Sequence, residues 1–153
     1  MTTPPSKVEK TITTVAMKAM SRGHTLLYRV SGGRMGSTMF GVPTLFLHHI
    51  GRKSGKEFTT PLFYLQDGDA MVVVASQGGL PTHPQWFHNL VARPDTTVRR
   101  GDDGTIVPVR ARVASAAEKE ALWPRLVDMY ADYADYQAKT DREIPVVILE
   151  PTS

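Results

Sequence analysis

Between residues 43 and 113 the chain alternates short apolar runs with turns rich in glycine and aspartate, and this alternation limits the fold more than any other feature. Runs of strand-forming residues cover 43–50, 59–65, 71–76, 96–100 and 105–113. The intervening segments at 51–56, 67–69 and 101–104 are short enough to close hairpins. Strands joined by hairpins run antiparallel, so a parallel doubly wound sheet is not expected.

Helical patterns and a returning strand surround these hairpins. Apolar residues recur at helical spacing over 7–20, and Ser115 with Glu118 has the spacing of a capping box. Pro124 should kink the helix that this box begins. Residues 144–149 are β-rich, with Pro145 at the strand start. A short helix over 84–92 should turn four residues toward a core: Trp86, Phe87, Leu90 and Val91.

Together these elements predict an α+β split β-barrel of antiparallel strands with helices packed outside. The 153 residues, with 41% hydrophobic and 22% charged side chains, fit a single domain over 1–153. Its barrel core should cover 43–151, after an N-terminal tail and amphipathic helix over 1–22. Cysteine is absent, and no apolar run reaches the roughly 18 residues of a membrane span. We therefore expect a cytoplasmic protein.

The charge is unevenly distributed along the chain. Residues 1–60 hold nine Lys or Arg and two Glu, a balance of +7, so the remainder must carry −4 to give the net +3. A basic first part favours an anionic partner, such as a phosphorylated ligand or an acidic membrane surface. Peripheral membrane contact through residues 7–22 stays open. No nucleic-acid motif is present, so nucleic acid is not expected as a partner.

The most basic turn, Gly51-Arg52-Lys53-Ser54-Gly55-Lys56, lies between the first two strands. Gly51 and Gly55 can take positive φ, so the turn can close tightly and aim backbone N–H groups inward beside the cations. This combination suits a phosphate. The alternative is an ordinary solvent-exposed hairpin tip.

Motifs for several other chemistries are missing. The five histidines lack metal-ligand spacing, so no metal site is expected, and Ser76 lacks the surroundings of a hydrolase nucleophile. Phosphate-binding and dinucleotide-binding glycine motifs are also absent. Tyr130, Tyr133 and Tyr136 recur every three residues, so on one helix they would roof a pocket for a planar ligand, or simply pack.

A succession of short motifs points to a known family. They are Gly51-Arg52-Lys53-Ser54-Gly55, Thr60-Pro61-Leu62, Ala75-Ser76-Gln77-Gly78-Gly79, His83-Pro84-Gln85-Trp86-Phe87-His88-Asn89-Leu90, Tyr133-Ala134-Asp135-Tyr136-Gln137 and Arg142-Glu143-Ile144-Pro145-Val146. In this order and spacing they resemble the deazaflavin-dependent nitroreductases, FMN-binding-like split β-barrel reductases of actinobacteria that use coenzyme F-420. The resemblance covers about residues 44–151.

The resemblance implies a set of roles. The coenzyme site would comprise Arg52, Lys53, Ser54, Thr60, Pro61, Val74, Ser76, Gln77, Gly78, Trp86 and Asn89. Ser76, Tyr133 and Tyr136 would act on the substrate side. The implied reaction passes a hydride from reduced F-420 to a small electron-poor acceptor, namely a nitroaromatic, quinone or enone. FMN is a less favoured cofactor, and a non-catalytic binder of a flavin, tetrapyrrole or lipid is the alternative function. A monomer and a homodimer both stay open.

Three positions depart from the family pattern. Phe58 and Gln77 stand where members often have an arginine and a lysine, so two cationic contacts to the coenzyme are missing. Phe63 replaces a tyrosine of some members, so activity on nitroimidazole prodrugs is not implied.

Overall fold

The computed structural model describes residues 38–39 and 41–152, which form eight strands, three α-helices and one 3-10 turn. The predicted helix over 7–20 and the tail before it lie outside these residues. The strands are β1 (Thr38–Met39), β2 (Val42–Ile50), β3 (Glu57–Phe63), β4 (Leu65–Asp67), β5 (Ala70–Val74), β6 (Asp95–Arg100), β7 (Ile106–Val113) and β8 (Val146–Pro151). The helices are α1 (Gln85–Ala92), α2 (Ala116–Met129) and α3 (Asp132–Ala138), and the 3-10 turn is Gln77–Gly79.

All strand pairings are antiparallel, in the order β1-β2-β6-β7-β8-β5-β4, with β3 paired to β2. Tyr64 alone separates β3 from β4. One extended segment therefore pairs with β2 through its first part and with β5 through its last part. The strand order therefore closes on itself, because this segment joins β2 near one end of the order to β5 near the other end. The result is a barrel that is split where the segment changes partner. The predicted split β-barrel is confirmed.

Two cores lie on opposite faces of this sheet. The inner core fills the barrel, and its members include Leu45, Leu47, Met71, Val73, Trp86, Leu90, Val98, Val109 and Leu149. The outer core lies between the sheet and helices α2 and α3, and it includes Val72, Val74, Leu122, Leu126, Tyr133, Ile144, Val146 and Ile148. Successive side chains of β5 enter the two cores alternately, which explains its continuous apolar run.

Local expectations differ from the structure at four points. Val91 is 61% exposed rather than in a core. Strand β8 begins at Val146 rather than at Pro145, whose carbonyl instead accepts from Ala75 N at 2.9 Å. Helix α2 continues through Pro124, which lies on the exposed side, where water can satisfy the carbonyl that loses its donor. The helix ends before Tyr130, whose extended backbone (φ −147°, ψ 98°) separates it from α3, so the three tyrosines do not lie on one helix.

The capping box at the start of α2 is present as predicted. Ser115 Oγ accepts from Glu118 N at 3.2 Å, and Ser115 N donates to Glu118 Oε1 at 3.0 Å. The Glu118 carboxylate also accepts two hydrogen bonds from Arg112 on β7, at 2.7 and 2.8 Å. This contact fixes the start of α2 beside the sheet that it covers.

Replacing Ser115 by alanine should lower the free energy of unfolding by about 1 kcal/mol, because an N-terminal helix donor loses its acceptor. Urea unfolding followed by circular dichroism measures this. Ala117→Ser, on the exposed side of the same turn, should change stability by less than about 0.5 kcal/mol. Equal losses in the two variants would contradict the capping role.

Candidate functional site

The basic turn, residues 51–56, is held by its own backbone. Gly51 N donates to Lys56 O at 2.8 Å, and Gly55 N donates to Gly51 O at 2.9 Å. Gly55 has φ +71°, as expected, whereas Gly51 is not left-handed. At Gly51 a Cβ would lie 2.4 Å from Ser54 Oγ and 3.2 Å from the Phe58 ring, so a larger residue there would displace these side chains. The shape of the turn therefore depends on both glycines, for different reasons.

The cations of this turn are exposed and uncompensated. Arg52, Lys53 and Lys56 have no carboxylate within 4.0 Å among residues 38–39 and 41–152. Arg110 and Arg125, by contrast, each contact an aspartate at 2.7 and 2.8 Å respectively. The turn therefore offers an anion positive charge that no carboxylate of the described residues neutralises.

A chain of polar contacts anchors the basic turn from below. Arg52 N donates to Asn89 Oδ1 at 3.0 Å, Asn89 Nδ2 lies 3.0 Å from His49 Nδ1, and His49 Nε2 lies 2.8 Å from Thr60 Oγ1. The backbone donor fixes the Asn89 amide orientation, so His49 must accept at Nδ1 and carry its proton on Nε2. Thr60 Oγ1 then accepts, which leaves the Thr60 hydroxyl hydrogen for another acceptor.

His49 is the buried centre of this chain. Burial, with a smaller effect of the neighbouring His48, lowers the pKa of His49 from 6.5 to about 4. It is therefore neutral at pH 7, as the hydrogen bonds require. Phe58 stacks on it with ring centroids 5.5 Å apart and remains 44% exposed. The sequence indicated only that His48 and His49 face opposite sides of a strand, so this role of His49 was missed.

The second group of predicted residues lies after β5, in the Ser76 turn, residues 76–79. Gln77, Gly78 and Gly79 all have positive φ, at 46°, 64° and 81°. A Cβ on Gly79 would lie 2.7 Å from the backbone oxygen of Tyr136, so the turn packs directly on α3. Ser76 and Tyr136, both partly exposed, are thereby brought to the same side of the molecule.

Arg142 holds the Ser76 turn through the backbone carbonyls in and beside it. Its guanidinium donates to Ala75 O at 3.1 Å, Ser76 O at 2.6 Å and Leu80 O at 2.8 Å, and contacts His83 Nδ1 at 2.9 Å. Burial, followed by the charges of Arg142 and His88, lowers the pKa of His83 below its usual 6.5. Arg142 belongs to one of the motifs above, but no pattern in the sequence indicated that it contacts this turn.

The three tyrosines meet, although Tyr130 lies between α2 and α3 and the other two lie on α3. Tyr130 Oη and Tyr136 Oη lie 3.3 Å apart, and the ring of Phe63 contacts Tyr130 at 4.9 Å between centroids. Tyr133 is only 5% exposed, in the outer core. Burial raises the pKa of both Tyr130 and Tyr133, with the Tyr136 hydroxyl adding to the effect. These phenols therefore keep their protons and can donate hydrogen bonds at neutral pH.

Helix α1 connects the two groups of predicted residues. Asn89 contacts the basic turn, and the helix begins two residues after His83, which contacts Arg142. Eight helical residues span roughly 12 Å.

Trp86 and Val74 are buried in the inner and outer cores respectively. Pro61 lies opposite Phe46 on the strand face that Thr60 does not share.

Two features are absent from the described part of the chain. It holds no cluster of three or more His, Asp or Glu side chains arranged to bind a metal. None of its helices is both long enough and apolar enough to cross a membrane.

Two curated relatives come from Mycobacterium tuberculosis. Rv3178, assigned by name to the F420H(2)-dependent quinone reductases, is 52% identical over 110 residues, which cover 72% of this chain and 91% of the relative. The F420H(2)-dependent quinone reductase Rv1261c is 39% identical over 130 residues, covering 84% of this chain and 87% of the relative.

A solved structure and a family model agree with these relatives. The structure of F420-H2 Dependent Reductase (FDR-A) superposes with a TM-score of 0.64 at 40% identity, covering 71% of this chain and 94% of that one. The family model of the F420H(2)-dependent quinone reductases matches residues 20–151. The resemblance to F-420-dependent split-barrel reductases is thus confirmed, and the chain belongs to the F420H(2)-dependent quinone reductase family.

Proposed function

We propose that this member of the family reduces a quinone with reduced coenzyme F-420. When bound, the coenzyme supplies a hydride to an electron-poor acceptor, and the protein supplies binding, orientation and electrostatics. One observation carries the proposal. The basic turn, whose cations have no carboxylate partner among the described residues, contacts Asn89 of α1, and the Ser76 turn is linked through Arg142 to His83 just before the same helix. This arrangement suits an elongated coenzyme with an anionic end.

The basic turn fits the phosphate end of the coenzyme. Arg52 and Lys53 are exposed, and no carboxylate competes for them within the described residues. Ser54 Oγ lies inside the turn, where it accepts from Lys56 N at 3.2 Å, so its hydrogen can point to an anion. Asn89 supports this end from below through Arg52 N. Charged hydrogen bonds to phosphate are the strongest contacts that such residues make.

Residues of β3, the end of β5 and the Ser76 turn suit the deazaflavin ring. Thr60 keeps a free hydroxyl hydrogen because its oxygen already accepts from His49. We assign the remaining contacts to Pro61, Val74, Ser76, Gln77 and Gly78, with Trp86 supporting them from the inner core.

We assign Ser76 and Tyr136 to the acceptor side of the site. A quinone takes up a hydride and a proton to become a hydroquinone, and negative charge develops on its oxygen as the hydride arrives. Hydroxyl donors held at that oxygen stabilise the charge and can pass on the proton. Tyr133 is buried beside Tyr136, with ring centroids 6.4 Å apart, so its contribution is to orient that ring.

The double variant Arg52→Ala, Lys53→Ala should raise the coenzyme Kd by roughly 10- to 100-fold, or about 1.4–2.8 kcal/mol for the pair, because solvent screens exposed cations and reduces the about 1.5–3 kcal/mol that one charged hydrogen bond can reach. Fluorescence titration with the oxidised coenzyme measures it. Arg110→Ala, Arg125→Ala removes the same charge from other faces and should leave the Kd unchanged. Equal affinity in all three proteins would refute the position of the phosphate end.

Ser76→Ala and Tyr136→Phe should each lower kcat for a soluble naphthoquinone by roughly 10- to 100-fold, since each removes a donor to the developing charge. Coenzyme affinity should be unchanged in Tyr136→Phe and should fall by no more than about tenfold in Ser76→Ala, which also removes one neutral contact to the ring. Stopped-flow oxidation of the reduced coenzyme gives both quantities, and Ser115→Ala is the matched serine control with unchanged kcat. Faster turnover of a nitroaromatic than of any quinone tested would contradict the quinone assignment.

Stability should fall as the pH drops from 6.5 to 4, and His49 should account for about 3 kcal/mol of this fall. The unfolded chain binds a proton at His49 throughout this window, whereas the folded chain does not until about pH 4. Urea unfolding at several pH values should show a smaller fall for His49→Gln, whose amide can replace both hydrogen bonds. Val98→Ala, a destabilising core control, should keep the full pH dependence, and an unchanged fall in His49→Gln would count against this role.

A further inference from the structure

We propose that Arg142 is a positioning residue for the reduction: it holds the Ser76 turn in the conformation that presents Ser76 to the coenzyme and the acceptor. This inference depends on the role proposed above for Ser76. Arg142 touches neither reactant in the proposal and acts through the backbone of residues 75–80.

The Ser76 turn needs external support. Gln77 is the one non-glycine residue with positive φ among the described residues, and it is followed by two left-handed glycines. A left-handed backbone costs a non-glycine residue on the order of 1–3 kcal/mol, and it persists only where the surroundings stabilise it. Arg142 stabilises this left-handed segment from both ends. It donates to Ser76 O, just before the segment, at 2.6 Å and to Leu80 O, just after it, at 2.8 Å.

The geometry of these contacts matches a guanidinium in particular. Nε reaches Leu80 O, Nη1 reaches Ala75 O and His83 Nδ1, and Nη2 reaches Ser76 O. The N–H donors of arginine point in different directions within one rigid plane, so a single side chain can bridge acceptors at both ends of the turn. The compact ammonium group of a lysine cannot reproduce this arrangement.

Arg142 is also attached to the helix that carries Tyr136. Gln137 Nε2 on α3 donates to Arg142 O at 2.9 Å, and Gln137 Oε1 accepts from Ile144 N at 3.0 Å. The same arginine thus joins the Ser76 turn to the end of α3. Its loss should change the position of Ser76 relative to Tyr136, the two hydroxyl groups assigned to the acceptor.

The test compares Arg142→Lys with the matched control Arg125→Lys. Arg125 also contacts a backbone oxygen, that of Gln66, and the Asp67 carboxylate, but it makes no hydrogen bond to the Ser76 turn. Hydrogen exchange of the coenzyme-free protein should show amides of residues 75–83 exchanging at least tenfold faster in Arg142→Lys, with β2 unchanged. In Arg125→Lys both regions should match the parent protein. Unchanged exchange over 75–83 in a folded Arg142→Lys protein would overturn the proposal.

A double-mutant cycle with Ser76→Ala then tests whether the effect passes through Ser76. Arg142→Lys should lower kcat by about tenfold in the parent protein and by less than about twofold in the Ser76→Ala background. A general loss of stability would lower both equally, and equal losses would overturn the proposal. Failure of the parent protein to bind F-420 would instead refute the proposed function, which the exchange measurement does not require.

Discussion

The buried imidazole of His49 imposes a constraint on which one end of the barrel depends, since polar atoms removed from water must pair with one another. Its two nitrogens are satisfied by Asn89 from α1 and Thr60 from β3, and Asn89 in turn holds Arg52 N. Losing one partner would leave a buried polar group unsatisfied, at a cost of about 1–3 kcal/mol. The helix, the strand and the basic turn are therefore positioned by one shared requirement.

Strand topology places the second half of the site. Strand β8 pairs antiparallel with β5, so the segment that leads into β8 runs beside the end of β5, and Ala75 N donates to Pro145 O at 2.9 Å. Arg142 lies in that segment and so meets the Ser76 turn directly. Because β5 separates the inner from the outer core, this turn emerges at their boundary, with α1 on one side and α3 on the other.

The sequence predicted those parts of the structure that have a local cause. Hairpin turns and the capping box at Ser115 follow from neighbouring residues, and each is present. The break at Tyr130 was not predicted, because the spacing of the tyrosines suits one helix or two. The contacts of His49 with Asn89 and of Arg142 with Ser76 join residues far apart in the sequence, and no periodicity reports such contacts.

The two departures from the family pattern at the coenzyme site have structural uses of their own. Phe58, in place of a cation, stacks on His49 and shields its neutral imidazole from water, where an arginine would place a positive charge beside that ring. Gln77, in place of a lysine, donates to the backbone and hydroxyl oxygens of Thr82 at 3.2 and 3.1 Å. These contacts stabilise the Ser76 turn in addition to those of Arg142. Both side chains stabilise the walls of the site rather than add charge to it. In the proposed coenzyme site the positive charge of the described residues is therefore concentrated in the basic turn, so the buried hydrogen bonds that fix this turn should also affect coenzyme binding.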